Sequence, residues 1–264
     1  MNSDTVTRTL DVIRRCSRIA AFVLGALGPA ACAVFERTQA IVPSKNIPAP
    51  VGDHHRLVIV LPGRGDKIAE MDRSGIAASV QRSLPDADVQ FAEFTLAYYI
   101  EGRSAQRLHE QFVQPATQRG YREIYLAGAS MGGMGVLMYE REHPGGVAGL
   151  ILMAPYLGEP PLVQEIRAAG GLQRWNAGPV PATLDRDNVP REEWRTVQAW
   201  ARNPARARSV WLICGQGDGF VGAAALLAEQ LPADHYITPA GGHAWAVWVS
   251  GATEAFARLA RAAP

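Results

Sequence analysis

Residues 123–133 read E-I-Y-L-A-G-A-S-M-G-G, an apolar run that leads into a glycine-rich turn around Ser130. The run Glu123–Ala127 predicts a buried β-strand, and the pattern of Met131–Glu142 predicts a helix that follows directly. The turn between them has the form G-x-S-x-G. A serine in such a tight turn takes a strained backbone conformation, and side chains in place of the flanking glycines would clash. The hydroxyl is thereby exposed at the end of the strand, beside the amide of Met131 at the helix N-terminus.

Short β-rich runs alternate with longer helical stretches from about residue 56 onwards. Runs that are apolar throughout predict strands buried on both faces, which is typical of a parallel sheet covered by helices. We therefore predict a three-layer α/β domain with a mostly parallel sheet of about six strands. The other strands are predicted at Arg56–Leu61, Asp88–Phe94, Val147–Met153, Ser209–Cys214 and Asp234–Thr238, and the other helices at Ala77–Leu84, Ser104–Gln118, Ala223–Glu229 and Val249–Ala262. Pro115 is expected to end or kink its helix. Functional side chains are expected just after the strands, because ligands bind at the carboxyl ends of such sheets.

The composition excludes several classes of function. The chain has 264 residues, 48% of them hydrophobic, enough for one large domain or two small ones with a core. The net charge of +1 gives no electrostatic case for binding nucleic acid. The three cysteines, Cys16, Cys32 and Cys214, lie far apart and form no C-x-x-C pair, so neither a disulfide framework nor a cysteine zinc site is indicated. The usual metal, phosphate-loop and dinucleotide motifs are also missing, and we predict no cofactor.

The first 35 residues are typical of an export signal or an anchor. Residues 19–35 carry no charge and follow a basic start, and small residues come after the apolar run. The sequence around Cys32 fits either a signal cleavage site or part of a lipoprotein box. The apolar run is shorter than the roughly 20 residues that span a bilayer. The alternative is an amphipathic helix lying on the domain. Residues 36–52 contain three prolines and predict a tether that leads into a folded domain at 53–264.

A serine hydroxyl becomes a good nucleophile when a base takes its proton, and His243 is the best placed histidine. It follows the last predicted strand in the glycine loop P-A-G-G-H-A-W, at the carboxyl edge of the sheet. The remaining histidines precede the first strand, fall on helices or their ends, or start a strand: His54, His55, His109, His143 and His235.

An imidazole base needs an acceptor that fixes its tautomer and stabilises the cation, and Asp218 is the first carboxylate after the strand Ser209–Cys214. Taken alone, Asp218 reads as a turn residue or a helix cap. The order Ser130, Asp218, His243, each at a strand end and in a glycine-rich turn, is the order expected of a triad on this kind of sheet. Asp66 is the alternative acid.

An oxyanion hole would complete the site. Besides the amide of Met131, a second backbone donor is expected from the loop P-G-R-G-D after the first long strand, where glycines let the backbone approach a substrate carbonyl. The amide of Gly63 or that of Arg64 fits this role. Alternatively, Arg64 has no role in the site, and its side chain is a solvated cation on the loop.

Together, L-P-G-R-G, G-A-S-M-G-G, C-G-Q-G-D-G-F-V and G-G-H-A-W resemble the α/β-hydrolase superfamily over residues 57–250. The resemblance implies nucleophile Ser130, acid Asp218, base His243 and an acyl-enzyme intermediate. Two departures matter. First, the first two strands of the family look absent or rudimentary, so about six strands are expected. Second, P-G-R-G differs from the family's usual oxyanion loops, so the subfamily and its substrate stay undetermined.

A short lid is expected at about residues 156–207, where this family inserts one. The segment carries Trp175, Trp194 and Trp200. These aromatic side chains either line an acyl pocket or form a small core within the lid.

The sequence therefore predicts a serine hydrolase that cleaves a carboxylic ester of a small molecule. A thioesterase or an amidase on the same machinery is an alternative, as is a non-catalytic protein that binds through the same fold. Export to the periplasm, the outside of the cell or the envelope, with membrane association through the first residues, is expected if the N-terminal segment is a signal. A cytoplasmic location is expected if it is not.

Overall fold

The computed structural model describes residues 38–52 and 55–262. The N-terminal segment 1–35 and His54 lie outside the described residues. Export and membrane association therefore stay predictions. Among the helices of the described part of the chain, none is both long and apolar enough to cross a bilayer.

A seven-stranded sheet in the order β1-β3-β2-β4-β5-β6-β7 forms the centre of the domain. The strands are β1 Ser44–Ile47, β2 Arg56–Leu61, β3 Ala87–Ala92, β4 Glu123–Ala129, β5 Gly149–Met153, β6 Val210–Ile213 and β7 Tyr236–Ile237. Strand β1 pairs antiparallel with β3, and all other neighbours in the sheet are parallel. The carboxyl ends of six strands therefore share one edge.

Helices follow most strands, as an alternating α/β pattern requires. They are α1 Ile68–Ser74, α2 Ile76–Ser83, α3 Leu96–Ile100, α4 Ser104–Leu108, α5 Gln114–Gln118, α6 Met131–Glu142, α7 Pro160–Ala168, α8 Val189–Trp200, α9 Pro204–Ala207, α10 Val221–Ala228 and α11 Trp245–Ala262, with a π-helical turn at His109–Val113 and a 3₁₀ turn at Ala233–His235. Helices α1, α2 and α11 pack together, and α4, α6 and α8 form a second group. Strands β4 and β5 are buried along nearly their whole length, as expected of strands covered on both faces.

Strand β1 lies within the predicted tether and brings the sheet to seven strands instead of about six. Its sequence S-K-N-I is mostly exposed and has no apolar alternation, so periodicity gives no sign of it. The strand is held by its backbone pairing with β3, in which Ser44 lies opposite Ala92 and Ile47 opposite Val89, and Ile47 packs against the core.

The helix predicted at 104–118 is present, and a π-helical turn interrupts it before Pro115. The N–H of Gln114 donates to the carbonyl of His109, five residues earlier. Proline has no N–H to continue an ordinary helical ladder, and the wider turn precedes it directly. The last helix begins at Trp245, earlier than the predicted start at Val249.

The tryptophans of the predicted lid belong to the main hydrophobic core of the domain and not to a separate core within that segment. Trp175, Trp194 and Trp200 are all buried. The indole N–H of Trp175 donates to Glu165 Oε1 at 2.8 Å, and that of Trp194 donates to the carbonyl oxygen of Leu157 at 2.9 Å. Of the two interpretations of these side chains, the structure therefore favours packing.

One buried carboxyl lies in this region without a hydrogen-bond partner among the described residues. Both oxygens of Glu193 in α8 are buried and unpaired, and so is the hydroxyl of Tyr99. Burial raises the pKa of Glu193 well above its usual value, because the charged form loses its hydration. Burial also raises the pKa of Tyr99, and the charge of Glu193 adds to that effect.

The raised pKa of Glu193 predicts that the protein loses stability as the pH rises. Below the ordinary value of 4.5 both the folded and the unfolded chain hold this proton. Above it the unfolded chain releases a proton that the folded chain keeps, so the free energy of unfolding falls by up to about 1.4 kcal/mol per pH unit until the folded pKa is reached. Glu193→Gln should remove this slope, so in urea unfolding its advantage in stability over wild type should grow as the pH rises above 5.

The neighbouring Glu192 provides the control. It is also buried, but it is paired with Arg141 and Arg195. Glu192→Gln should therefore lower the free energy of unfolding at pH 7. Equal pH slopes in wild type and Glu193→Gln would contradict the prediction.

Candidate active site

Ser130 lies at the turn between β4 and α6 in a strained backbone conformation. Its φ and ψ are 52° and −111°, in the left-handed half of conformational space that favours glycine. Hydrogen bonds on both sides hold it there. The N–H of Ser130 donates to the carbonyl oxygen of Met153 at 2.8 Å, and its own carbonyl accepts from the N–H groups of Tyr156 at 3.0 Å and Met134 at 3.2 Å.

The two glycines of the motif are needed because backbone passes too close for a side chain. A Cβ at Gly128 would overlap the carbonyl oxygen of Gly132. A Cβ at Gly132 would lie 2.5 Å from the carbonyl oxygen of Leu61 and 2.7 Å from that of Pro62. Backbone atoms cannot move aside as the end of a side chain can. The turn is therefore fixed against the end of β2.

His243 and Asp218 form a hydrogen-bonded pair in loops that follow β7 and β6. His243 Nδ1 lies 2.8 Å from Asp218 Oδ2, and the Asp218 side chain is fully buried while that of His243 is 35% exposed. Asp218 Oδ1 accepts from the N–H of Phe220 at 2.8 Å. A carboxylate accepts the Nδ1 proton, so Nε2 of a neutral His243 is left as the basic nitrogen.

The loops that carry this pair are held against each other by backbone contacts. The N–H of Gly217 donates to the carbonyl oxygen of Gly241 at 2.8 Å, and a Cβ at Gly215 would lie 2.5 Å from that same oxygen. Aromatic rings flank the imidazole edge-on, with centroid distances of 4.9 Å for Phe220 and 4.8 Å for Trp248.

The predicted oxyanion donors lie beside the nucleophile turn. Met131 is the first residue of α6, where an N–H has no partner within the helix. Gly63 is buried, and a Cβ built on it would lie 3.8 Å from the Cβ of Ser130. Arg64 follows in the same loop with an exposed side chain.

The structure brings together most, but not all, of the predicted contacts. Asp218 is hydrogen-bonded to His243, and the Cβ position of Gly63 faces the Cβ of Ser130. In the described chain the hydroxyl of Ser130 makes no hydrogen bond to His243; such bonds often tighten once substrate is bound. Asp66, the alternative acid, accepts from the indole N–H of Trp245 at 2.8 Å and not from the imidazole.

The other described nucleophile and base candidates do not compete with this arrangement. Burial, with the charge of Asp218 as a smaller cause, raises the pKa of Cys214 to about 12, so its thiol stays protonated at neutral pH. His109 and His143 stack on each other with centroids 4.2 Å apart, and His235 Nδ1 lies 2.8 Å from the carbonyl oxygen of Val210. Within the described ranges, no group of three or more His, Cys, Asp or Glu side chains could hold a metal ion.

Sequence reasoning missed the residues that surround the triad candidates. Tyr156 binds the carbonyl of Ser130 through its N–H, and its ring lies 5.9 Å from that of Phe220, which contacts His243. Tyr156 comes soon after the predicted strand Val147–Met153, and this position at a strand end could have marked it as a residue near the site. The Asp66–Trp245 hydrogen bond joins residues 179 positions apart, and no local pattern indicates it.

Comparisons with known proteins give one family model and many solved structures. The model of the family described as serine aminopeptidase, S33, matches residues 105–210. No curated protein matches the sequence. Among solved structures, the chain is similar to a ferulic acid esterase with a TM-score of 0.55 and 15% identity, over 84% of this chain and 99% of the other. It is similar to S-formylglutathione hydrolase from Staphylococcus aureus with a TM-score of 0.55 and 12% identity, over 85% and 98% of the two chains. For a monoacylglycerol lipase from Paleococcus ferrophilus the TM-score is 0.52 and the identity 13%, over 82% and 98%.

The backbone strain at Ser130 predicts that removing its side chain stabilises the protein. A residue held in such a conformation costs about 1–3 kcal/mol, and glycine escapes most of that cost. Ser130→Gly should raise the free energy of unfolding in urea by about 1 kcal/mol. The control is Ser250→Gly on an exposed turn of α11, where glycine should lower stability by about 0.5 kcal/mol. A loss of stability in both variants would argue against strain at Ser130.

Proposed function

We propose that this chain, which has the α/β-hydrolase fold predicted from its motifs, is a serine hydrolase that cleaves carboxylic esters. The observation that carries the proposal is the 2.8 Å bond between His243 and the buried Asp218, at the same sheet edge as the strained turn of Ser130. A buried carboxylate that orients a partly exposed imidazole is the arrangement that a base needs.

The proposed reaction proceeds in two halves. The Ser130 hydroxyl attacks the ester carbonyl carbon while His243 Nε2 takes its proton. The carbonyl electrons move onto oxygen, and the N–H groups of Met131 and of Gly63 or Arg64 stabilise that oxyanion. Collapse of this intermediate breaks the bond to the alcohol, which leaves with the proton from His243. Water, deprotonated by the same imidazole, then attacks the acyl-enzyme. The bond between the acyl carbon and Ser130 Oγ breaks, the imidazolium returns its proton to Oγ, and the acid is released.

The comparisons support the ester class. The similar structures above carry the names of an esterase, a lipase and a hydrolase, and a further one, Est1E from Butyrivibrio proteoclasticus, is described with ferulic acid bound, at a TM-score of 0.51 and 16% identity. The family description, serine aminopeptidase, favours amide hydrolysis as the second candidate. Rates on an ester and an anilide of the same acyl group separate the two.

Labelling with a fluorophosphonate tests the nucleophile. The reagent reacts with an activated serine, so wild type should be labelled and Ser130→Ala should not. Wild type should also hydrolyse p-nitrophenyl acetate. An unlabelled wild type that leaves this ester intact would favour the non-catalytic binding protein.

The role of Asp218 predicts a large kinetic effect with little change in fold. Asp218→Asn keeps the shape of the side chain but favours the wrong imidazole tautomer, and we expect the rate on p-nitrophenyl acetate to fall by about 10³–10⁴-fold. Circular dichroism should show an unchanged fold. A rate equal to that of wild type would contradict the assignment of the acid.

A further inference from the structure

A side-chain hydrogen bond joins the loop after β2 to the start of the last helix, next to the site. The indole N–H of Trp245, in the first turn of α11, donates to Asp66 Oδ2 at 2.8 Å, and Asp66 lies in the loop after β2. The proposed mechanism uses neither side chain. The bond therefore needs a separate explanation.

The Asp66 carboxylate lies directly against the backbone of the predicted oxyanion loop. Its Oδ2 atom is 2.9 Å from the position that a Cβ on Gly63 would take, and its N–H donates to the carbonyl oxygen of Gly63 at 3.2 Å. Gly63 is in turn the residue whose Cβ position lies 3.8 Å from the Cβ of Ser130. A shift of Asp66 would therefore move backbone that borders the nucleophile.

On the other side, Trp245 connects to the imidazole through a second ring. Trp245 packs edge-on against Trp248 with centroids 5.3 Å apart, and Trp248 packs edge-on against His243 at 4.8 Å. Trp245 is also only two residues from His243 in the chain. Contacts thus run from Gly63 through Asp66, Trp245 and Trp248 to His243.

We infer that Asp66 and Trp245 are positioning residues, whose hydrogen bond holds the oxyanion loop at a fixed distance from His243. The inference rests on the proposed function. His243 and the oxyanion donors must both be in the right positions in the same transition state. Hydrogen-bond donors displaced by a fraction of an ångström lose much of their stabilising effect on the oxyanion. A hydrogen bond to a carboxylate is stronger than one between neutral groups, which suits a brace between two loops.

Trp245→Phe tests this inference, because it removes the N–H and keeps an aromatic ring. We expect the single-turnover rate constant for acylation by p-nitrophenyl acetate to fall about tenfold or more, with the dissociation constant of the ester changed less than twofold. The affinity for an alkylboronic acid, which forms a tetrahedral adduct with the serine, should fall by the same factor as the acylation rate. A packing role alone would lower the free energy of unfolding without this parallel loss.

The lid provides a matched control. Trp175 donates the same kind of bond to Glu165 Oε1 at 2.8 Å, so Trp175→Phe removes the same atoms outside the proposed site. This variant should leave acylation and boronic acid affinity unchanged. An equal loss in both variants would overturn the inference.

Changes at Asp66 give a second, independent measurement. Asp66→Ala should match Trp245→Phe, and the double variant should be no slower than either single one, because all three lack the same bond. Asp66→Asn keeps an oxygen acceptor and should recover most of the rate. Additive losses, or a wild-type acylation rate in Trp245→Phe, would overturn the inference while leaving the proposed function intact. A wild type that forms no acyl-enzyme would overturn both.

Discussion

The backbone contact between the nucleophile turn and the end of β2 is the constraint on which the site depends. Gly128 packs on Gly132, and Gly132 packs on the carbonyl groups of Leu61 and Pro62, with no room for a Cβ at either glycine. This contact fixes where α6 begins and holds Ser130 at a φ of 52°. It also places the loop that contains Gly63 beside the serine. The proposed nucleophile and the predicted oxyanion donors are thus parts of one backbone packing arrangement.

The proposed base and acid belong to a second arrangement at the same edge. The loops after β6 and β7 are joined by the bond between Gly217 and Gly241, and the buried Asp218 orients His243 from within them. The backbone pairing of β4, β5 and β6 joins the two arrangements at the base of the site, and side-chain contacts connect them further. Tyr156 and Phe220 connect them on one side, and Asp66 and Trp245 on the other. The proposed chemistry therefore depends on how well these few side chains keep the two parts in register.

Much of this architecture could be predicted from the sequence where local patterns are strong. The bounds of β2 and α6 agree with the prediction, because an unbroken apolar run and a glycine turn mark them clearly. Strand β1 was missed because an edge strand held by backbone pairing leaves no apolar pattern. The candidate residues Ser130, Asp218 and His243 were found by their places at strand ends. The Asp66–Trp245 bond could not be, since a contact between side chains 179 residues apart depends on the complete fold.

Because main-chain contacts determine the shape of the turn around Ser130, substitutions at this site are restricted at some positions and free at others. Gly128 and Gly132 cannot accept a side chain because main-chain atoms lie too close to them. This restriction is the same whichever substrate is bound. Arg64, in contrast, projects from a loop at the same edge with an exposed side chain. Mutagenesis libraries aimed at new substrate preferences can concentrate on such rim positions. Substitutions there can change substrate selectivity without altering the backbone geometry of the proposed reactive centre.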